Sequence, residues 1–177
     1  AAGGRRLSAV FLPVTVFALS AVPYPWQVEQ ALVRHLTAVV VNTTSDIFVL
    51  AGRPVVAMGD RLVMGTEVVG VTEGCSGIRS LQSLLMAALF FGEAFWFGLG
   101  RRVALVAVAA LAAPAVNILR AYALAWVHFA KGPDAAAAAH DAIGHGAFAL
   151  AAVILYAASK VMDGATASPN DEWPDGK

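Results

Sequence analysis

Residues 103–130 read VALVAVAALAAPAVNILRAYALAWVHFA and are almost entirely apolar. A helix needs about 20 consecutive apolar residues to cross the hydrocarbon core of a bilayer, and this stretch is long enough. Arg120 is its only Lys, Arg, Asp or Glu residue, and His128 is its only histidine. Charged groups inside a membrane helix are costly, so Arg120 marks a candidate functional position.

Three further stretches are apolar enough to cross a bilayer: Leu7–Trp26, Ser76–Gly98 and Ala142–Ser159. The composition agrees, since 59% of the residues are hydrophobic and 14% are charged, whereas soluble chains have about 25% charged residues. We therefore expect an all-α membrane protein with about four transmembrane helices. The integral membrane domain is predicted to cover residues 1–162, and the polar residues 163–177 are predicted to be disordered.

Basic residues next to the predicted spans indicate the orientation of the chain. They are Arg5 with Arg6, Arg101 with Arg102, and Lys160. Four crossings put all of them on one side of the membrane, which the positive-inside rule assigns to the cytoplasm. The segments 27–75 and 131–139 are then external loops, and we expect a multi-pass protein of the plasma (inner) membrane.

The external segment 27–75 has its own pattern. Apolar residues recur at helical spacing from Val28 to Ala51 with charges between them, which predicts an amphipathic helix on the membrane surface. The valine-rich stretches Pro54–Met58 and Leu62–Thr72 alternate and predict a short β-hairpin. This hairpin leads directly to Cys75.

Three residues from different predicted helices lie at the same depth. At about 1.5 Å per helical residue, Arg120 is about 27 Å from Arg102, His140 about 30 Å from Lys160, and Cys75 about 35 Å from Gly98. The hydrocarbon core is about 30 Å thick, so all three reach its outer boundary. Their rotation about each helix axis is left open, so the pattern predicts a shared depth and not contact.

A cysteine, a histidine and an arginine at a boundary open to water can catalyse acyl transfer. The thiolate is the nucleophile, the histidine moves the proton, and the arginine stabilises an oxyanion. Each residue also has a structural interpretation: Cys75 as a packed apolar side chain, Arg120 as a side chain reaching the headgroups, and His140 as a loop residue. His145, further along the same helix, competes with His140.

Together the motifs are more specific. The segment Glu73-Gly74-Cys75-Ser76-Gly77-Ile78-Arg79-Ser80-Leu81 resembles the signature of the exosortase/archaeosortase family. The Asn117-x-x-Arg120 pattern in the following span and the His140-x-x-x-Gly144 pattern at the last span resemble family elements in the same order. The histidine at position 140 favours the exosortase branch. Members commonly have more spans than the four predicted here.

The resemblance implies a membrane-embedded cysteine protease and transpeptidase with its active site at the outer face. Cys75, Arg120 and His140 would be catalytic. Supporting or substrate-binding roles are expected for Glu73, Ser76, Gly77, Arg79 and Asn117. The implied partners are membrane-anchored proteins with a C-terminal sorting signal of the PEP-CTERM type, together with the lipid bilayer and a lipid or glycan acceptor.

Other function classes are less favoured by the residues. The formal net charge is zero, so no basic field indicates nucleic acid. A single cysteine and the sparse carboxylates beside the histidines indicate neither a metal site nor another cofactor. The alternative function is a non-enzymatic membrane scaffold that binds partners through the external hairpin.

Overall fold

The computed structural model describes Thr15, residues 25–71 and residues 77–164 of the 177-residue chain. The predicted span Leu7–Trp26 therefore lies almost entirely outside the described residues. Cys75 and most of the predicted polar tail also lie outside them.

The described residues form four helices and one small sheet. In chain order these are α1 (Trp26–Leu50), β1 (Val56–Met58), β2 (Arg61–Met64), β3 (Glu67–Gly70), α2 (Ile78–Ala94), α3 (Leu99–Lys131) and α4 (Pro133–Gly164). Among them, α3 and α4 are long and apolar enough to cross a membrane. Helix α2 has 17 residues, about 25 Å, which is close to the lower limit for a span. The described part therefore supports two of the four predicted crossings by length and composition.

Helix α1 matches the predicted amphipathic helix within two residues at each end. It begins after Pro25 and ends in a Schellman motif, in which Gly52 has φ +77° and the Arg53 N–H donates to the Phe48 carbonyl. One helical face is buried, and its members are Val33, Thr37, Val40, Val41, Thr44, Ser45 and Phe48. The Ser45 hydroxyl donates to the Val55 carbonyl at 2.9 Å, which ties the helix to the chain entering the sheet.

The predicted hairpin is wrong in its number of strands. The sheet has three antiparallel strands in the order β1-β2-β3, because the predicted strand Leu62–Thr72 is divided at Gly65-Thr66. Gly59 and Gly65 each have a positive φ at the first central position of a two-residue turn, as type II′ hairpins require. The Gly65 turn reverses the chain, so β3 lies at one edge of the sheet.

Helix α2 ends earlier than the predicted span Ser76–Gly98. The chain leaves the helix at Trp96, which has φ +53°, and the Phe97 N–H donates to the Gly92 carbonyl. Arg102, at the beginning of α3, stabilises this turn. Its Nε donates to the Phe97 carbonyl at 2.6 Å, and its guanidinium forms a two-pronged ion pair with Glu93.

Helices α3 and α4 form an antiparallel hairpin joined by Gly132 alone, which has φ +89°. The expected loop 131–139 is therefore wrong, because α4 already begins at Pro133. Proline is favoured in the first turn of a helix, and the five alanines 135–139 are the strongest helix formers. His140 consequently lies two turns inside α4.

Two apolar clusters meet on α3. One joins α2, α3 and α4 and has as its buried members Leu84, Ala88, Phe97, Leu105, Ala109, Ala113, Val116, Ala151 and Leu155. The other joins α1, the sheet and α3 through Val40, Val41, Phe48, Val55, Leu62, Val71, Ala121 and Ala125. On α3 the first cluster ends at Val116 and the second begins at Ala121. Asn117 and Arg120 lie between them.

Candidate active site

Arg120 and His140 form the centre of the candidate site. The Arg120 Nη2 atom lies 3.1 Å from His140 Nε2, across the interface between α3 and α4. A guanidinium has only donors, so the imidazole Nε2 accepts this hydrogen bond. This hydrogen bond uses the imidazole tautomer that carries its proton on Nδ1. The two residues that the sequence placed at one depth are in contact.

Gly144 provides the space for this contact. It lies one helical turn after His140, on the same face of α4. A Cβ atom at position 144 would lie 3.3 Å from Arg120 Nη2 and 3.5 Å from both Cζ and Nε. The guanidinium thus passes directly over a residue without a side chain. The His-x-x-x-Gly spacing therefore has a physical reason: the histidine accepts the hydrogen bond and the glycine lets the arginine reach it.

Asn117 connects the same region to the beginning of α2. Its side chain is buried, one turn before Arg120 on α3. Gly77, the residue that precedes α2, has φ +83°, and a Cβ there would lie 2.7 Å from Asn117 Nδ2 and 2.8 Å from Cγ. The first residues of α2 are therefore packed against α3 beside the Arg120–His140 pair.

Ser80 is a residue of this region for which the sequence motifs predict no role. Ser80 lines a small cavity of about 10 Å³ together with Asn117, Arg120 and Gly144. It follows Gly77 by three residues, so both lie on the face of α2 that meets α3. The three-residue spacing from Gly77 is the sequence feature that could have pointed to Ser80.

Other predicted site residues are not part of this contact. Arg79 lies in the first turn of α2 and is exposed. His145 is also exposed, and the hydrogen bond to Arg120 is made by His140. The predicted residues Glu73, Cys75 and Ser76 lie outside the described residues.

A groove of about 250 Å³ extends from His140 toward the Gly132 end of the helix hairpin. One wall is β3 with Val71, and the other walls come from α3 and α4. Its lining residues are Leu62, Val68, Val69, Gly70, Val71, Ala121, Leu124, Ala125, His128, Pro133, Ala136, Ala137 and His140. The His128 imidazole lies 3.3 Å from the Glu67 carboxylate, which holds the beginning of β3 against α3.

No three His, Cys, Asp or Glu side chains within residues 25–71 and 77–164 converge as metal ligands would. The chemistry available in this part of the chain is that of a guanidinium and an imidazole. Such a pair can stabilise a developing anion and transfer a proton.

The comparison with protein families gives one match. Residues 1–157 match the family described as Transmembrane exosortase (Exosortase_EpsH). This match covers most of the chain and includes all three sequence motifs, so the resemblance stated from them is confirmed. No protein of curated function and no solved structure matches the sequence.

Proposed function

This chain belongs to the transmembrane exosortase family, and we propose that it is a cysteine peptidase and transpeptidase of membrane-anchored proteins. It cleaves C-terminal sorting signals of the PEP-CTERM type from proteins destined for the cell surface. It then transfers the cleaved protein to a lipid or glycan acceptor. The observation that carries the proposal is the 3.1 Å contact between Arg120 and His140, which joins two of the three proposed catalytic groups.

Covalent connectivity supports the inclusion of Cys75. Cys75 precedes Gly77 by two residues, and consecutive Cα atoms are about 3.8 Å apart, so their Cα atoms are separated by no more than about 7.6 Å. Gly77 is packed against Asn117, one turn from Arg120. The covalent chain thus limits how far position 75 can be from Asn117, and we propose that this position carries the nucleophile.

The proposed reaction has two steps. His140 accepts the thiol proton, and the Cys75 thiolate attacks the carbonyl carbon of the scissile peptide bond. The C–N bond then breaks, His140 protonates the leaving amine, and the substrate remains bound as a thioester. In the second step a hydroxyl or amine of the acceptor attacks the thioester carbonyl, and its proton passes to His140. The C–S bond then breaks, and His140 returns the proton to the Cys75 sulfur, which regenerates the thiol.

Arg120 has a different role, because an arginine cannot act as a base at ordinary pH. In the described structure it donates to His140 Nε2. During attack the guanidinium would donate instead to the oxyanion of the tetrahedral intermediate, which leaves the Nε2 lone pair free for the proton. This change of acceptor requires the guanidinium to rotate away from His140. Gly144 leaves room for that rotation, because it has no side chain beside the guanidinium.

The location of the pair fits a membrane-anchored substrate. Arg120 lies where the apolar cluster of α2, α3 and α4 gives way to the cluster beneath the sheet. A substrate helix lying in the bilayer beside these helices would present its preceding motif at that level. We propose that this level is the outer boundary of the plasma membrane, as the basic residues at the opposite helix ends indicate.

The proposal can be tested with Cys75→Ala and Cys75→Ser in the full chain. The probe is a tagged reporter protein whose C-terminus carries a sorting signal from the same genome: a short motif, a hydrophobic helix and a basic cluster. We expect both variants to accumulate in the membrane like the parent and to leave the reporter uncleaved. Normal cleavage in the alanine variant would overturn the proposal and favour a scaffold.

A further inference from the structure

Strand β3 has an open edge that faces the groove. It pairs with β2 on one side only, and no other strand among the described residues pairs with its second side. Met64 and Glu67 close the two-residue turn and are therefore a hydrogen-bonded pair. Alternation along an antiparallel ladder then directs the N–H and C=O groups of Val68 and Gly70 away from β2.

The groove follows this edge. The groove is lined by residues from both faces of β3: Val68 and Gly70 from one face and Val69 from the other. A groove can contact both faces of a strand only if it runs along the edge of that strand. The opposite wall is formed by small side chains of α3 and α4, among them Ala137. Val68 and Gly70 are both exposed.

The groove is continuous with the candidate active site, because His140 lines its inner end. From His140 to Pro133 the wall of α4 spans seven residues, or about 10 Å at 1.5 Å per residue. An extended peptide covers about 3.3 Å per residue. The groove therefore matches about three residues of extended polypeptide ending at His140.

We propose that the substrate polypeptide next to the scissile bond binds here as an added strand on the free edge of β3. Its backbone pairs with the outward N–H and C=O groups of Val68 and Gly70, as in other β-strand additions. Alternate side chains of the bound peptide face the alanines of α3 and α4 that line the groove, so small apolar residues are accommodated there. This inference rests on the proposed function, because it names how that site holds its substrate.

An extended polypeptide fits the groove better than a lipid chain does. A strand edge presents a row of donors and acceptors that an acyl chain cannot satisfy, whereas a peptide backbone satisfies them at a regular spacing. The 3.3 Å contact of the His128 imidazole with the Glu67 carboxylate holds the beginning of β3 on α3, so the edge is already positioned for pairing.

Photo-crosslinking tests the occupant without depending on turnover. A photoreactive phenylalanine is introduced at Ala137, which lines the groove, or at the exposed neighbour Ala138, which does not. Both are combined with Cys75→Ala and the tagged reporter described above. We expect the reporter to be captured from position 137 and not from position 138. Capture of a second copy of this chain, capture within the chain, or equal capture from both positions would overturn the proposal.

A second pair of variants tests the strand addition itself. Gly70→Pro removes an outward N–H without removing a ladder hydrogen bond, whereas Gly70→Ala keeps that N–H and meets no atom within 4 Å. We expect Gly70→Pro to cleave the reporter about three- to tenfold more slowly than Gly70→Ala, as the loss of one hydrogen bond implies. Equal rates in two variants of equal melting temperature would overturn the strand addition.

The two proposals can fail separately. If cleavage depends on Cys75 but the reporter is not captured from position 137, the groove assignment is wrong and the proposed function stands. If Cys75→Ala cleaves normally while position 137 captures the reporter, the proposed chemistry is wrong. The strand addition would then describe binding without catalysis by Cys75.

Discussion

Gly77 lies so close to Asn117 that a Cβ atom at position 77 would stand 2.7 Å from Asn117 Nδ2. The contact joins the beginning of α2 to the middle of α3, one turn before Arg120. It also requires the left-handed backbone of Gly77, whose φ is +83°. The position of the chain that follows Cys75 therefore depends on a residue that has no side chain.

Gly77→Ala is expected to destabilise the protein and to abolish most cleavage of the reporter. The left-handed conformation costs a non-glycine residue about 1–2 kcal/mol, and overpacking against the buried asparagine adds about 1–3 kcal/mol. The measurements are the melting temperature in detergent and the rate of reporter cleavage. Gly100→Ala is the matched control, because position 100 is helical and a Cβ there meets nothing within 4 Å. Equal melting temperatures for the two variants would contradict this reading of the contact.

Gly144→Ala should reduce cleavage by about tenfold with little loss of stability. The new methyl group would lie 3.3 Å from Arg120 Nη2, so the guanidinium must move by a few tenths of an ångström. Small misplacements of catalytic groups have large effects on rate. Gly146→Ala, on the same helix with open space around its Cβ, should cleave at the parental rate. If the two alanine variants behave alike, the passage of the arginine over Gly144 is unimportant.

The two histidines of α4 should differ sharply. His140→Ala removes the acceptor of the Arg120 hydrogen bond and the proposed proton carrier, so we expect cleavage to fall by about 100-fold or more. His145→Ala changes an exposed residue and should stay within about twofold of the parent, as expected for a site away from the chemistry. The rates are compared at equal amounts of folded enzyme in the membrane. If His145→Ala lost more cleavage activity than His140→Ala, His145 and not His140 would be the residue that transfers the proton.

Replacement of Arg120 separates its charge from its geometry. Arg120→Lys keeps a positive charge but loses the planar fork that contacts His140, so we expect cleavage to fall by about 100-fold. Arg120→Gln should lose at least as much activity. We expect the neighbouring Asn117 to keep its packing against Gly77 in both variants, and the melting temperature reports whether it does. Full activity in the lysine variant would reduce the role of Arg120 to charge alone.

The ion pair of Glu93 and Arg102 is expected to contribute to stability and not to chemistry. It lies at the α2–α3 turn, at the opposite end of α3 from the Gly132 hairpin. Both side chains are partly exposed, at 43% and 31%, so we expect Glu93→Gln to cost about 1 kcal/mol or less. A double-mutant cycle with Arg102→Gln measures the coupling through melting temperatures. A large loss of cleavage at unchanged stability would be inconsistent with this assignment.

Local patterns were sufficient for several parts of the fold. The recurrence of apolar residues from Val28 to Ala51 predicts α1, because a 3.6-residue period places those residues on one helical face. The sheet was recognised only in part, since Gly65-Thr66 in a valine-rich stretch resembles a strand interior. The expected loop 131–139 follows from the position of the alanine run 135–139 outside the predicted span, whereas the helix propensity of alanine favours a helix there.

The sequence predicted a shared depth for the candidate site residues, because each helical residue advances the chain by about 1.5 Å and the basic residues mark one end of every predicted span. It also determined the residue types and the motifs that identify the family. Which side chains meet was decided only by the tertiary structure. Rotation about a helix axis is set by the packing of whole faces, here by Gly144 beneath Arg120 and Gly77 beside Asn117. A glycine has no side chain from which these contacts could be predicted, so only the packed helices show that Arg120 reaches His140.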